Sequence, residues 1–170
     1  MLIVGGSLGA KAINELIAEK LPLFKELGLQ LLWQCGQLYF DRFKHLQSET
    51  VQINAFLDRM DLAYAAANVI ISRAGAGSVS ELAIVGKPVL FIPSPTVAED
   101  HQTKNAQAIV AKNAAKMVKQ SNLEEKFDTE SKDLVTNVSL QNQLSENIKK
   151  LAKPNATNSI ITQIEKIIEA

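Results

Sequence analysis

Cysteine is nearly missing from this chain of 170 residues, which carries Cys35 and no other. One thiol can neither close an internal disulfide nor build a cysteine-based zinc site, and it suits a reducing compartment, so the expected location is cytoplasmic. An excess of one charge sign is missing too. Eighteen Lys and Arg balance eighteen Asp and Glu, so no broad basic field exists to hold a polyanion, and nucleic acid is not an expected partner. No apolar run approaches the roughly 18–20 residues that a membrane-crossing helix needs. No basic leader precedes Leu2-Ile3-Val4, so the start does not read as a signal peptide. Internal repeats and low-complexity tracts are also lacking.

What is present is globular: hydrophobic residues make up 46% and charged residues 21%. The length fits one domain of about 150 residues. A strand that opens at once into Gly5-Gly6-Ser7 reads as the inside of an α/β unit, as the second half of a larger protein would begin.

Short β-branched or apolar runs alternate with helical patterns along the first two-thirds of the chain. They fall at Leu2–Val4, Leu29–Gln34, Thr50–Ile53, Asn68–Ser72, Pro88–Ile92 and Lys116–Lys119. The alternation predicts an α/β fold, a Rossmann-like open parallel sheet of about six strands with helices on both faces. Ile13, Leu16 and Ile17 share one helical face that should pack on the sheet. From about residue 121 the pattern is helical only. Leu140, Leu144, Ile148 and Leu151 form one stripe, and Ile160, Ile161, Ile164, Ile167 and Ile168 form another, with Pro154 between them. Both stripes are expected to face the core, unless the last helix reaches across to a neighbouring domain. The polar stretch Ser121–Asp133 is expected to be mobile.

Ligands of open parallel sheets bind beyond the carboxyl ends of the strands, so the loops after the strands are the candidate site. Gly5-Gly6-Ser7-Leu8-Gly9-Ala10 follows the first strand and precedes a helix. Glycines there permit close backbone approach, and the helix start offers free N–H groups to an anion. The loop is neither a Walker A sequence nor a Gly-x-Gly-x-x-Gly fingerprint. An acid that would hold a dinucleotide's ribose is missing from Trp33-Gln34-Cys35-Gly36-Gln37, which demotes NAD. A second glycine loop, Arg73-Ala74-Gly75-Ala76-Gly77-Ser78, precedes Glu81. Ser78 and Glu81 have capping-box spacing, and two glycine-rich helix starts aimed at one crevice suit a diphosphate better than either alone. Arg73 either adds charge there or braces the fold. Asp100, His101, Gln102 and Asn105 crowd a third helix start, where amides and carboxylates match the donor–acceptor needs of sugar hydroxyls. Phe56, just after the third strand, either covers a flat base or joins the core.

Taken together, Gly5-Gly6-Ser7-x-Gly9-Ala10, Phe56-Leu57-x-x-Met60, Ser72-Arg73-x-Gly75-Ala76-x-Ser78-x-x-Glu81 and Asp100-His101-Gln102-x-x-Asn105-Ala106 resemble the C-terminal half of glycosyltransferase family 28. Its members of this pattern are the GT-B enzymes that transfer N-acetylglucosamine to lipid I, giving lipid II in peptidoglycan synthesis. The resemblance covers essentially the whole chain. It implies a single domain over residues 1–170 that binds UDP-N-acetylglucosamine. Phe56 would lie over the uracil, the Leu57 backbone would bond its edge, and Met60 belongs to the same motif. Glu81 would take the ribose hydroxyls. Ser7, Ser78 and the Gly6 and Gly9 backbone would face the diphosphate, while His101, Gln102 and Asn105 would address the sugar.

The implied reaction is inverting transfer to the C4 hydroxyl of the muramoyl sugar, with UDP leaving and no metal or cofactor. The acceptor lobe and general base would lie in an N-terminal half that these residues do not include. The chain alone is therefore expected to be inactive, and the complete enzyme peripheral on the cytoplasmic face of the inner membrane. Two alternatives stay open at this point: another GT-B enzyme using a UDP-sugar, such as a glycolipid glycosyltransferase or an epimerase, and a non-catalytic nucleotide-binding module.

Overall fold

The computed structural model describes residues 1–169. Six strands form its centre: β1 (Leu2–Val4), β2 (Leu31–Gln34), β3 (Val51–Asn54), β4 (Ile70–Ser72), β5 (Val89–Phe91) and β6 (Lys116–Met117). They lie in the order β3-β2-β1-β4-β5-β6, and every pairing is parallel. Each expected strand is present, most of them shorter than the apolar run that announced it. Pro88 shows the reason, since it has no N–H for the ladder and contributes only a carbonyl, which accepts from the Ile70 N–H at 2.9 Å.

The helices are α1 (Lys11–Glu26), α2 (Gln37–Phe43), α3 (Met60–Ala66), α4 (Ala76–Val85), α5 (His101–Val110), α6 (Leu123–Thr136), α7 (Val138–Lys149) and α8 (Ala156–Ile168). Side chains alternate across a strand, so β1 feeds two cores. Ile3 joins Ile13 and Ile17 of α1, Trp33, and Phe127 of α6 on one face. Leu2 and Val4 join Tyr64 of α3, Leu82 of α4 and Ala106 of α5 on the other. Helices cover both faces, and the fold is Rossmann-like α/β.

Two expectations for the C-terminal third need correction. Ser121–Asp133 is a short 3-10 turn leading into α6, whose Leu123, Phe127 and Leu134 are buried. The polar residues that suggested mobility are its outer face, and Lys116 Nζ reaches Glu130 and Asp133 at 2.5 and 2.6 Å to fasten it to β6. The two apolar stripes also part company. Leu144 and Ile148 of α7 are buried, with Leu140 and Leu151 packed partly against them. By contrast Ile160, Ile161, Ile164, Ile167 and Ile168 of α8 are 46–77% exposed. Helical periodicity records that a face is apolar, and it does not record what covers that face.

Candidate functional site

Strand order reverses between β1 and β4: the chain leaves β1 toward β2 and leaves β4 toward β5. The loops after these strands therefore diverge, opening a crevice at their carboxyl ends. The first loop is a tight turn in which the Gly9 N–H donates to the Gly6 carbonyl at 3.0 Å. Gly9 has φ +77°, and a Cβ there would overlap the Cys35 carbonyl oxygen. Gly36 packs in the same way on the Leu8 carbonyl. Only glycine allows these two backbones to touch.

Buried amides lock the contact from behind. Asn14 of α1, fully buried, donates from Nδ2 to the Cys35 carbonyl at 2.8 Å and accepts from Trp33 Nε1 at 3.0 Å. Gln34, 4% exposed, donates from Nε2 to the Gly6 carbonyl and accepts at Oε1 from the Leu57 N–H, both at 3.1 Å. One side chain thus spaces the glycine loop from the segment carrying Phe56 and Leu57. Phe56 itself is exposed, Ser7 is exposed, and Met60 is half-buried at the first position of α3.

The second loop enters α4 at Ala76, with Gly75 in the N-cap position and no side-chain cap. The capping-box reading of Ser78 and Glu81 is thereby corrected. The helix begins before Ser78, because the extended backbone at Gly75 turns the chain, so Ser78 lies in the first turn. Glu81 is one turn further on, where its Oε2 accepts from the Tyr64 hydroxyl at 3.0 Å. Burial, reinforced by Glu81, pushes the Tyr64 phenol well above its ordinary pKa and keeps it a proton donor. Neither α1 nor α4 has a side-chain cap. The first-turn N–H groups of both are left to solvent or to an anion.

A third set of contacts runs from α5. Gln102 Oε1 accepts from the Ala74 N–H at 3.3 Å and the Ser94 N–H at 2.9 Å, while Asn105 Nδ2 donates to the Ala74 carbonyl at 3.0 Å. The loop after β4 is so held on both sides of one residue. These partners also orient the amides, leaving Gln102 Nε2 a free donor and Asn105 Oδ1 a free acceptor among the described residues. His101 is exposed, with Nδ1 2.9 Å from the Ala98 carbonyl, and Asp100 occupies the N-cap position of α5 at φ +51° without capping through its side chain. Arg73 is a brace: its guanidinium donates to the Ile92 carbonyl at 3.0 Å and to Gln120 Oε1 at 2.9 Å. Burial lowers its pKa from the ordinary arginine value.

Residues 1–164 match the description "Glycosyltransferase family 28 C-terminal domain". The chain belongs to this family. Among family 28 relatives, it is 56% identical over its whole length to the UDP-N-acetylglucosamine–N-acetylmuramyl-(pentapeptide) pyrophosphoryl-undecaprenol N-acetylglucosamine transferase of Flavobacterium psychrophilum, covering 47% of that protein. It is 55% identical to the protein of the same name from Christiangramia forsetii, over 99% of this chain and 46% of that one. The chain therefore spans about half the length of the curated relatives it matches.

A solved structure, MurG of Acinetobacter baumannii, is 35% identical and superposes with a TM-score of 0.85, over 97% of this chain and 49% of that one. The calicheamicin glycosyltransferase CalG4, at 12% identity and a TM-score of 0.71 over 95% of this chain and 41% of its own, shares the fold.

Asn14, Gln34 and Tyr64 brace the candidate site without having been singled out by the sequence. Gln34 carried a faint signal, being an uncharged polar residue closing an apolar strand. Tyr64 carried none, because an aromatic on a helix reads as core.

Proposed function

We propose that the crevice beyond β1 and β4 holds UDP-N-acetylglucosamine, the donor for inverting transfer to lipid I that yields lipid II in peptidoglycan synthesis. The supporting observation is the pair of helix starts without side-chain caps, α1 and α4, behind loops that Gln34 and Gln102 hold in place. The diphosphate lies across those starts, facing Ser7, Ser78 and the Gly6 and Gly9 backbone. Each start is worth about 0.3–1 kcal/mol to an anion. As the bond from the sugar's anomeric carbon to the diphosphate breaks, UDP gains negative charge. Fixed N–H dipoles stabilise that charge without reorganising.

Phe56 covers the uracil, and the Leu57 backbone meets its edge through the carbonyl that Gln34 leaves free. Glu81 accepts from the ribose hydroxyls. Gln102 Nε2 and Asn105 Oδ1, with His101 beside them, offer the sugar hydroxyls a donor and an acceptor. Arg73 acts on this site by holding the loop after β4 in place.

The acceptor and the general base belong to the part of the relatives' length beyond these residues. The exposed isoleucine face of α8 docks on that part, and the assembled enzyme lies on the cytoplasmic face of the membrane. The 170 residues alone bind donor without converting lipid I.

Calorimetric titration with UDP, UDP-glucose, UDP-N-acetylglucosamine and NAD tests this reading. Binding of UDP-N-acetylglucosamine ahead of UDP-glucose, with no NAD binding, is expected. Preference for NAD overturns the site, and indifference to the sugar favours a plain nucleotide-binding module. Glu81→Ala should weaken UDP by about 1.5–3 kcal/mol, the range for hydrogen bonds to a charged group.

A further inference from the structure

We propose that Tyr64 is a positioning residue for the ribose of the donor, holding the Glu81 carboxylate in the one orientation that accepts from both hydroxyls of the diol. The inference rests on the donor-site reading above and adds a residue to it. Glu81 is exposed on α4. A free glutamate there would sample many rotamers, and ordering it at each binding event would weaken affinity. Tyr64 removes that freedom. The residue is 9% exposed, anchored on α3 in the core formed with Leu2, Val4, Ala67 and Leu82. Its hydroxyl donates to Glu81 Oε2 at 3.0 Å.

One carboxylate oxygen is thereby pinned. Oε1 is left with its full acceptor capacity, and Oε2 keeps a second lone pair. A vicinal diol presents two adjacent O–H donors, and a carboxylate of fixed orientation can accept from both. The phenol stays protonated far above neutral pH, because burial and the neighbouring carboxylate both oppose its ionisation. The phenol therefore remains a donor to Glu81 at neutral pH.

The test is calorimetric binding of UDP and of 2′-deoxy-UDP to the 170-residue chain and its variants, with a thermal melt of each. Tyr64→Phe keeps the ring and removes only the hydroxyl. It should weaken UDP about three- to tenfold, leave 2′-deoxy-UDP nearly unchanged, and so narrow the gap between the two ligands, while the melt barely moves. An unchanged gap, or equal losses for both ligands, overturns the proposal. Glu81→Gln must narrow the same gap. If it does not, the ribose reading of Glu81 fails, and the role of Tyr64 falls with it. Should Tyr64→Phe lower the melt substantially, Glu81→Asp serves instead. Its shorter side chain cannot reach the phenol and the diol together, so the gap should narrow, and a gap of wild-type size again overturns the proposal.

Discussion

The two ends of the sheet are built differently. At the amino end the strand starts border a hollow of about 620 Å³, lined by residues such as Met1, Gly28, Gln30, Gln52, Ala66 and Val138. At the carboxyl end the hollow beside β5 and β6 is smaller, about 380 Å³, with Pro93, Asp100, Thr103 and Gln120 among its walls. Volume alone would send a ligand to the amino end, away from the proposed donor crevice. What distinguishes the carboxyl end is cross-bracing: Asn14, Gln34, Arg73, Gln102 and Asn105 each reach from one segment to the backbone of another. Buried amides are costly unless their partners are in place, so Asn14 and Gln34, each engaged at both its oxygen and its nitrogen, mark where geometry has to be kept. Space is a weaker sign of function than polar bonds that hold loops still.

The sharpest way to break this contrast is one substitution made at both ends. Gly9→Ala should cost about 2–5 kcal/mol, summing about 1–2 for a left-handed non-glycine residue and about 1–3 for overpacking against the Cys35 carbonyl. Gly28 also has a positive φ, +65°, but nothing lies within 4 Å of a Cβ added there. Gly28→Ala should therefore cost only the strain, about 1–2 kcal/mol. Denaturant midpoints compare the two, and equal losses would remove the claim that the carboxyl end is the tighter one.

Next in size, Gln34→Leu strands the Gly6 carbonyl and the Leu57 N–H, and should lower stability by about 1–3 kcal/mol. It should also weaken UDP in the same titration, because it loosens the diphosphate and base segments together. A destabilised variant with normal UDP affinity would show that Gln34 serves the fold alone. The smallest effect is expected at the amino end. Gln52→Ala, on the rim of the larger hollow, should stay within about 0.5 kcal/mol of wild type and leave UDP binding untouched. A change in UDP affinity there would mean that the roomy end takes part in binding after all.

The strands were legible because parallel sheets buried on both faces read as short continuous apolar runs, as Ile70–Ile71 and Val89–Phe91 do. The loops were legible because glycine, serine and amide residues cluster there for reasons of local backbone chemistry. The braces were not. Gln34 meets Gly6 and Leu57 across 28 and 23 residues of chain, and Tyr64 meets Glu81 across 17. Such bonds exist only once the sheet has assembled, so no local spacing announces them. The capping box failed for a related reason, since Ser78 and Glu81 have the right separation but the turn into α4 is made earlier, at Gly75. Similarly, α7 and α8 carry the same kind of apolar stripe. Packing of α7 against α4 and α6 decides that one of them is covered.

The interlock at Gly9 has a kinetic consequence. Cys35 lies beneath it, fully buried, with Sγ 3.5 Å from the Asn54 carbonyl oxygen, and burial raises its thiol pKa. A thiol reagent reaches a buried sulfur only through local opening, so the labelling rate is a stopwatch on the breathing of the backbone around Cys35, the glycine turn included. If the diphosphate rests on that turn, saturating UDP should slow the stopwatch. The chain then carries its own reporter, needing no added dye, for whether donor binding and backbone breathing are coupled.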